Sequence, residues 1–190
     1  MSWANRVILV HGKKRSGKDA FAEILSESLI RVRRFAFADP LKEDLLRRFP
    51  MVMQHNLYGT NEEKEEVIPE LGMSGRKLMQ VYGTDMMSSL WLPVWANAAL
   101  EKVKACLEQN PNHVIVVPDL RRTVELHTFQ PYRPTMLKIV RPGKADDDDH
   151  SSENELNDHK FSDVIMNTGN LWEYEEKCLK WINEWAKRKG

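Results

Sequence analysis

The sequence predicts an α/β fold in three layers, a mostly parallel sheet with helices on its faces. Three observations predict it. Short apolar runs at 6–10, 113–117, 136–140 and 164–166 alternate with helical patterns through most of the chain, as in strand–helix–strand units. The first run, Arg-Val-Ile-Leu-Val, passes through a Gly- and Lys-rich turn into a helix with Phe21, Ile24, Leu25 and Leu29 on one face. An amphipathic helix at 171–187 closes the chain, with Leu171, Cys178, Leu179, Ile182 and Trp185 sharing a face.

The 190 residues give room for one domain with a hydrophobic core, and the 42% hydrophobic and 29% charged content is ordinary for a soluble protein. Formal net charge is zero, from 28 basic and 28 acidic residues. No global basic field argues for nucleic acid as partner, so local basic clusters read as sites. No apolar run is long enough for a signal peptide or a membrane span, which points to a cytoplasmic protein. Cys106 and Cys178 stand far apart in helical patterns and read as buried thiols, not metal ligands. The expected layout is a single domain over 1–190, with a helical insertion at about 40–92 and a lid at about 142–160.

The remaining elements follow in order. Residues 33–38 read as a second strand. Asp39-Pro40 then supplies an N-cap with proline at the first helical position, launching 41–49. Residues 50–72 read as a loop with a short helix at most, their charged run at 62–66 a solvated face. Residues 74–87 read as a helix interrupted by Gly83, and 93–109 as a stronger one stopped by Asn110-Pro111. Residues 121–129 read as a helix. The polar stretch 143–160, with four consecutive aspartates at 146–149, reads as a solvated surface.

The most informative segment is Gly12-Lys13-Lys14-Arg15-Ser16-Gly17-Lys18-Asp19. It fits G-x-x-x-x-G-K, with aspartate where the motif ends in Ser or Thr. Glycines let the backbone curl so that successive N–H groups face phosphate oxygens, and the helix N-terminus adds partial positive charge. Lys18 is placed to reach the β- and γ-phosphates of a nucleotide. Asp19 is a hard oxygen ligand, able to hold Mg²⁺ directly or through water.

Downstream, Pro118-Asp119-Leu120-Arg121-Arg122 ends an apolar strand. Asp119 suits a role beside Mg²⁺, and the two arginines face the strand-end crevice where α/β sheets bind ligands. Arginine takes phosphate bidentately, so Arg121 or Arg122 fits a clamp. Arg76, Gln80 and Tyr82 form a second polar group for an acceptor molecule, with Trp91 and Trp95 as candidate stacking platforms. Arg141, after a strand, is placed to meet transition-state charge.

Together the motifs resemble the bacteriophage deoxynucleoside monophosphate kinases. The resemblance is carried by 14–19, Arg76-Lys77-Leu78-Met79-Gln80, Gly83-Thr84-Asp85, 117–121 and Val140-Arg141-Pro142-Gly143. It implies a nucleoside monophosphate kinase-like P-loop fold, ATP with Mg²⁺, and transfer of the γ-phosphate to a deoxynucleoside monophosphate. A secondary resemblance to animal phosphomevalonate kinases rests on the aspartate-ended loop, Pro40-Leu41-Lys42-Glu43, Asp119-x-Arg121-Arg122, Ser152-Glu153 and 161–167. The residue Met79-Gln80 and Gly83-Thr84-Asp85 block favours the nucleotide kinase. The implied roles are Lys18, Arg121, Arg122 and Arg141 in catalysis; Gly12, Lys13, Lys14, Arg15, Ser16, Gly17, Lys18 and Asp19 around ATP; Lys14, Lys42, Arg76, Gln80, Asp85 and Arg121 around the acceptor; and Asp19 with Asp119 at the metal. A nucleotide-binding switch is the rival of another class, weakened by the lack of an Asn-Lys-x-Asp guanine motif. The sequence does not set the base preference and leaves a homodimer open; a phage origin places the protein in host cytoplasm.

Overall fold

The computed structural model describes residue 3 and residues 6–142, 155–156 and 159–188. The chain divides into two compact units, Met1–Ala36 with Leu100–Gly190, and Phe37–Ala99.

The first unit is built on a five-stranded sheet in the order β2-β5-β1-β6-β7, every neighbouring pair parallel. Strand β1 (Val7–His11) is buried at all five positions, between β5 (Val114–Leu120) and β6 (Thr135–Val140). A central parallel strand is covered on both faces, which is why its sequence is an uninterrupted apolar run. Ile8 and Val10 join the core under α1 (Lys18–Ser28) and α8 (Leu171–Lys187), where Phe21 meets Trp181 edge to face at 5.5 Å. Val7 and Leu9 are equally buried and alternate to the opposite face. Strand β7 (Asp163–Met166) closes one edge. Helix α7 (Thr123–Phe129) follows β5, and α6 (Val94–Gln109) enters this unit with its later turns.

Two strands depart from expectation. The edge strand β2 is Val32–Arg34, shorter and earlier than 33–38. It pairs only with β5, and after Phe35 donates to Val116 O the chain leaves the sheet to start the helix at Asp39. Strand β5 runs on through Pro118 to Leu120 instead of ending at residue 117. The register jumps from Leu9↔Val117 to His11↔Leu120, so Pro118 and Asp119 together oppose Val10. A bulge is where a ladder tolerates a residue with no N–H.

The second unit holds α2 (Asp39–Arg48), α3 (Gln54–Tyr58), α4 (Asn61–Glu65), the hairpin β3 (Val67–Ile68) and β4 (Met73–Ser74), α5 (Gly75–Gln80) and a π-helix, Val81–Ser88. Residues 50–72 are therefore structured, not a loop. Thr60 and Glu63 exchange hydrogen bonds as a capping box, with Glu63 N to Thr60 Oγ1 at 3.2 Å and Thr60 N to Glu63 Oε2 at 2.6 Å. Leu57 and Ile68 reach a core shared with Leu45, Leu78 and Tyr82. Gly83 does not interrupt the helix either. It sits in the π-helical turn, where a Cβ would lie 2.7 Å from Leu41 Cδ2, so glycine allows α2 to approach. Cys178 is buried as expected; Cys106 is only half-buried, its sulfur 3.8 Å from His113 Nδ1. No helix among the described residues is long and apolar enough to cross a membrane.

Candidate active site

Strand β1 delivers the chain into the glycine-rich loop. His11, at its end, is buried and its Nδ1 donates to Leu120 O at 3.0 Å, since a carbonyl only accepts. That bond ties the loop to the bulged end of β5. Arg15 (φ 60) and Gly17 (φ 107) take left-handed conformations between ordinary ones, the backbone alternation that turns N–H groups into a concave nest. A Cβ on Gly12 would lie 2.5 Å from Ile139 O and 2.6 Å from Ser16 Oγ; one on Gly17 would lie 2.7 Å from Asn167 Nδ2. Both sites admit only glycine without rearrangement.

Lys18 opens α1 and is buried, its ammonium donating to Gly12 O and, at 2.6 Å, to Lys13 O. Ser16 Oγ is buried with no hydrogen-bond partner among the described residues. Lys13, Lys14 and Arg15 are exposed on the outside of the loop. Asp19, also exposed, forms an ion pair with Arg34 of β2.

Two side chains that sequence reasoning missed hold the loop from behind. Asn167 Nδ2 donates to Ser16 O at 2.7 Å and Tyr174 Oη to Gly17 O at 2.9 Å. Burial pushes the Tyr174 hydroxyl well above its ordinary value, so it remains a donor. Tyr174 stands four residues before Cys178 on the apolar face of α8, a spacing that reads as core; only its hydroxyl hints at a polar partner.

The parallel strands β5, β1 and β6 end on the same side, which brings Asp119–Arg122, the loop and Arg141 to the C-terminal end of the sheet. Asp119 lies in the bulge and is half-buried. Arg121 is exposed and Arg122 half-buried. Glu125 Oε2 accepts from the N–H groups of Arg121 (2.8 Å) and Arg122 (2.9 Å), setting the turn. Burial pushes the Glu125 carboxyl up to about 7, against the pull of those two amides, with Asp119 adding repulsion. Glu155 accepts from Thr123 N at 2.9 Å and lies 3.5 Å from Arg122 Nε. Arg141 is exposed just beyond β6. The lid expected at about 142–160 lies outside the described residues except for Pro142, Glu155, Leu156, His159 and Lys160.

The other expected acceptor residues belong to the second unit. The Lys42 ammonium sits over the Tyr58 ring, 4.3 Å from its centroid; burial, with Asp39 and Glu43 adding, pushes the Tyr58 hydroxyl up to about 12. Arg76 pairs with Glu65 and donates to Asn61 Oδ1 at 3.1 Å. Gln80 Oε1 accepts from Lys77 Nζ at 3.4 Å, and Asp85 is exposed on the π-helix. Two expectations are corrected here. Tyr82 is buried with its hydroxyl donating to Asp44, and Trp95 donates Nε1 to Gly83 O at 3.0 Å while packing on Tyr82. Both serve the unit's core. Trp91 is exposed.

The family model for deoxynucleotide monophosphate kinase matches residues 6–68 and 58–178. A protein of Acanthamoeba polyphaga mimivirus that bears the deoxynucleotide monophosphate kinase name is 29% identical over 182 residues, covering 90% of this chain and 93% of the viral one. The deoxynucleotide monophosphate kinase of enterobacteria phage T4 is 30% identical over 109 residues, 55% of this chain and 43% of the phage protein. Among solved structures, the Campylobacter jejuni dephospho-CoA kinase superposes with a TM-score of 0.53 at 17% identity, over 96% of this chain and 98% of that one. A Thermus thermophilus protein does so with a TM-score of 0.54 at 14% identity, over 95% and 97%. These two likenesses establish the fold.

Proposed function

The chain belongs to the deoxynucleotide monophosphate kinase family, and on that premise we propose how its residues divide the transfer of the γ-phosphate of ATP to a deoxynucleoside monophosphate. The reaction needs in-line positioning and charge neutralisation more than covalent chemistry. The acceptor phosphate is already a nucleophile, so no general base is assigned.

One observation carries the donor side. A buried ammonium, an unpartnered buried hydroxyl and a helix N-terminus converge on a loop whose glycines leave no room for a side chain. Burying a hydroxyl without a partner is costly, a helix N-terminus favours an anion, and the Lys18 ammonium would exchange its loop carbonyls for phosphate oxygens. The amides of 12–18 and the Lys18 ammonium therefore take the β- and γ-phosphates, with Ser16 Oγ as a further donor and Lys13, Lys14 and Arg15 around the tail.

Asp19 and Asp119 are the hard oxygen donors suited to Mg²⁺. Two carboxylates would leave most of the ion's shell to phosphate oxygens and water. When bound, Mg²⁺ supplies neutralisation of the β- and γ-phosphate charge. For Asp19 to serve, its carboxylate exchanges Arg34 for the ion. Arg121 and Arg122 hold phosphate at the end of β5, and Arg141 meets the charge that builds during transfer. In the second unit, Lys42, Arg76, Gln80 and Asp85 are assigned to the acceptor; Arg76 gives up its contact with Glu65 to do so.

The test is ADP release in a coupled assay across dTMP, dGMP, dCMP, dAMP and phosphomevalonate. Rapid ADP production that depends on one or more of the deoxynucleotides is the expected result. Slow hydrolysis indifferent to every acceptor would identify a switch instead, and a response to phosphomevalonate alone would move the acceptor class.

A further inference from the structure

Glu155 has no place in the roles above, yet it reaches the strand-end crevice. Its Oε2 accepts from the N–H of Thr123, the first residue of α7 and one of the donors a helix leaves unpaired. Its Oε1 lies 3.5 Å from Arg122 Nε, each side chain about one-third exposed (33% and 34%). That distance makes an ion pair without a hydrogen bond, and Arg122 Nε is buried with no hydrogen-bond partner among the described residues. Phe161 makes a separate contact near the loop. The Phe161 ring lies parallel to His11, 5.1 Å between centroids and 8° between planes, and His11 immediately precedes Gly12.

We propose that Glu155 is a positioning residue for phosphoryl transfer, holding the Arg122 guanidinium in place at the end of β5. The proposal rests on the reading of Arg122 as a phosphate ligand. Glu125 fixes the backbone of Arg121 and Arg122 through their amides, and Glu155 fixes the side chain. An arginine on a turn gives up rotamer freedom when it is ordered. A carboxylate that orders it beforehand removes part of that cost from the binding step.

The proposal is tested by a double-mutant cycle on the full chain. Glu155→Ala and Glu155→Gln are each made in the wild-type and Arg122→Met backgrounds, with kcat/KM for the best deoxynucleotide acceptor and Tm measured throughout. Glu155→Ala is expected to lower kcat/KM about tenfold in the wild type and not at all in Arg122→Met. Glu155→Gln keeps an acceptor for Thr123 N–H and should lose less; it carries the cycle if Glu155→Ala does not fold. An equal loss in both backgrounds, or a fall in Tm with kcat/KM unchanged, overturns the proposal, because Glu155 would then be only a helix cap. If Arg122→Met is impaired and both Glu155 variants match wild type, the positioning role alone fails. If Arg122→Met itself turns over normally, the reading of Arg122 fails with it.

Discussion

At the scale of single residues, Lys18 and Glu125 carry the sharpest expectations. Lys18 is buried with its ammonium on two loop carbonyls. Its removal takes away a charge that counts most when the γ-phosphate is between donor and acceptor. Lys18→Ala should lower kcat by roughly 10²–10³, a few kcal/mol of transition-state stabilisation, with circular dichroism unchanged. Near-normal turnover would remove the loop from the mechanism. Glu125 makes a pH prediction. Its carboxyl is raised from an ordinary 4.5 to about 7, chiefly by burial, so between those values the folded chain holds a proton that the unfolded chain has released. Stability from this group is present at low pH and is lost as pH climbs towards 7. Glu125→Gln keeps a carbonyl acceptor for the two amides and removes the charge. Its Tm relative to wild type should therefore rise between about pH 5 and about pH 8; a constant difference would show that Glu125 ionises normally.

At the scale of elements, α8 does two jobs at once. Its apolar face, with Cys178, Trp181, Ile182 and Trp185, covers the sheet, and Trp185 Nε1 finds Thr135 Oγ1 at 2.9 Å. One turn earlier, Tyr174 extends the same face to the loop and caps Gly17 O. Tyr174→Phe keeps the packing and removes one of the two hydrogen bonds to Gly17 O, which retains Phe21 N–H at 2.9 Å, at a cost of about 1 kcal/mol in urea unfolding. The loop should also loosen, raising KM for ATP more than it lowers kcat. An unchanged KM would confine Tyr174 to stability. Strand β5 shows why an element can be longer than its sequence suggests. Proline normally ends a strand, but here the bulge absorbs Pro118 and Asp119 opposite Val10 and brings Leu120 level with His11. The segment 50–72 errs in the other direction: Thr60 and Glu63 have capping-box spacing, and the charged run 62–66 outweighs that signal when read by composition alone.

At the scale of the whole molecule, stability and ligand binding are linked. A nucleotide that binds only the folded chain adds about 2.7 kcal/mol at a hundred times its Kd. ATP with Mg²⁺ should therefore raise Tm in the wild type and much less in Lys18→Ala, measured by calorimetry; equal shifts would place the nucleotide elsewhere. With zero net charge, the proposed attraction for phosphate has to come from local groups, and the parallel order of β5, β1 and β6 gathers the candidates at the C-terminal ends of the strands. The fold class, the glycine-rich turn between strand and helix, and the place of Asp119–Arg122 at the end of a strand were all legible in the sequence. Each is a contiguous run in which glycine spacing, a lysine and apolar periodicity act over one or two turns of chain, and local sterics and helix electrostatics decide such runs without help from afar. Only the tertiary structure decided which side chains brace the loop. Asn167 and Tyr174 stand 151 and 157 residues from the carbonyls they bond, and Glu155 meets Arg122 only after β6 has been laid beside β1. Contacts of that range depend on how the sheet orders its strands, and no spacing along the chain encodes them.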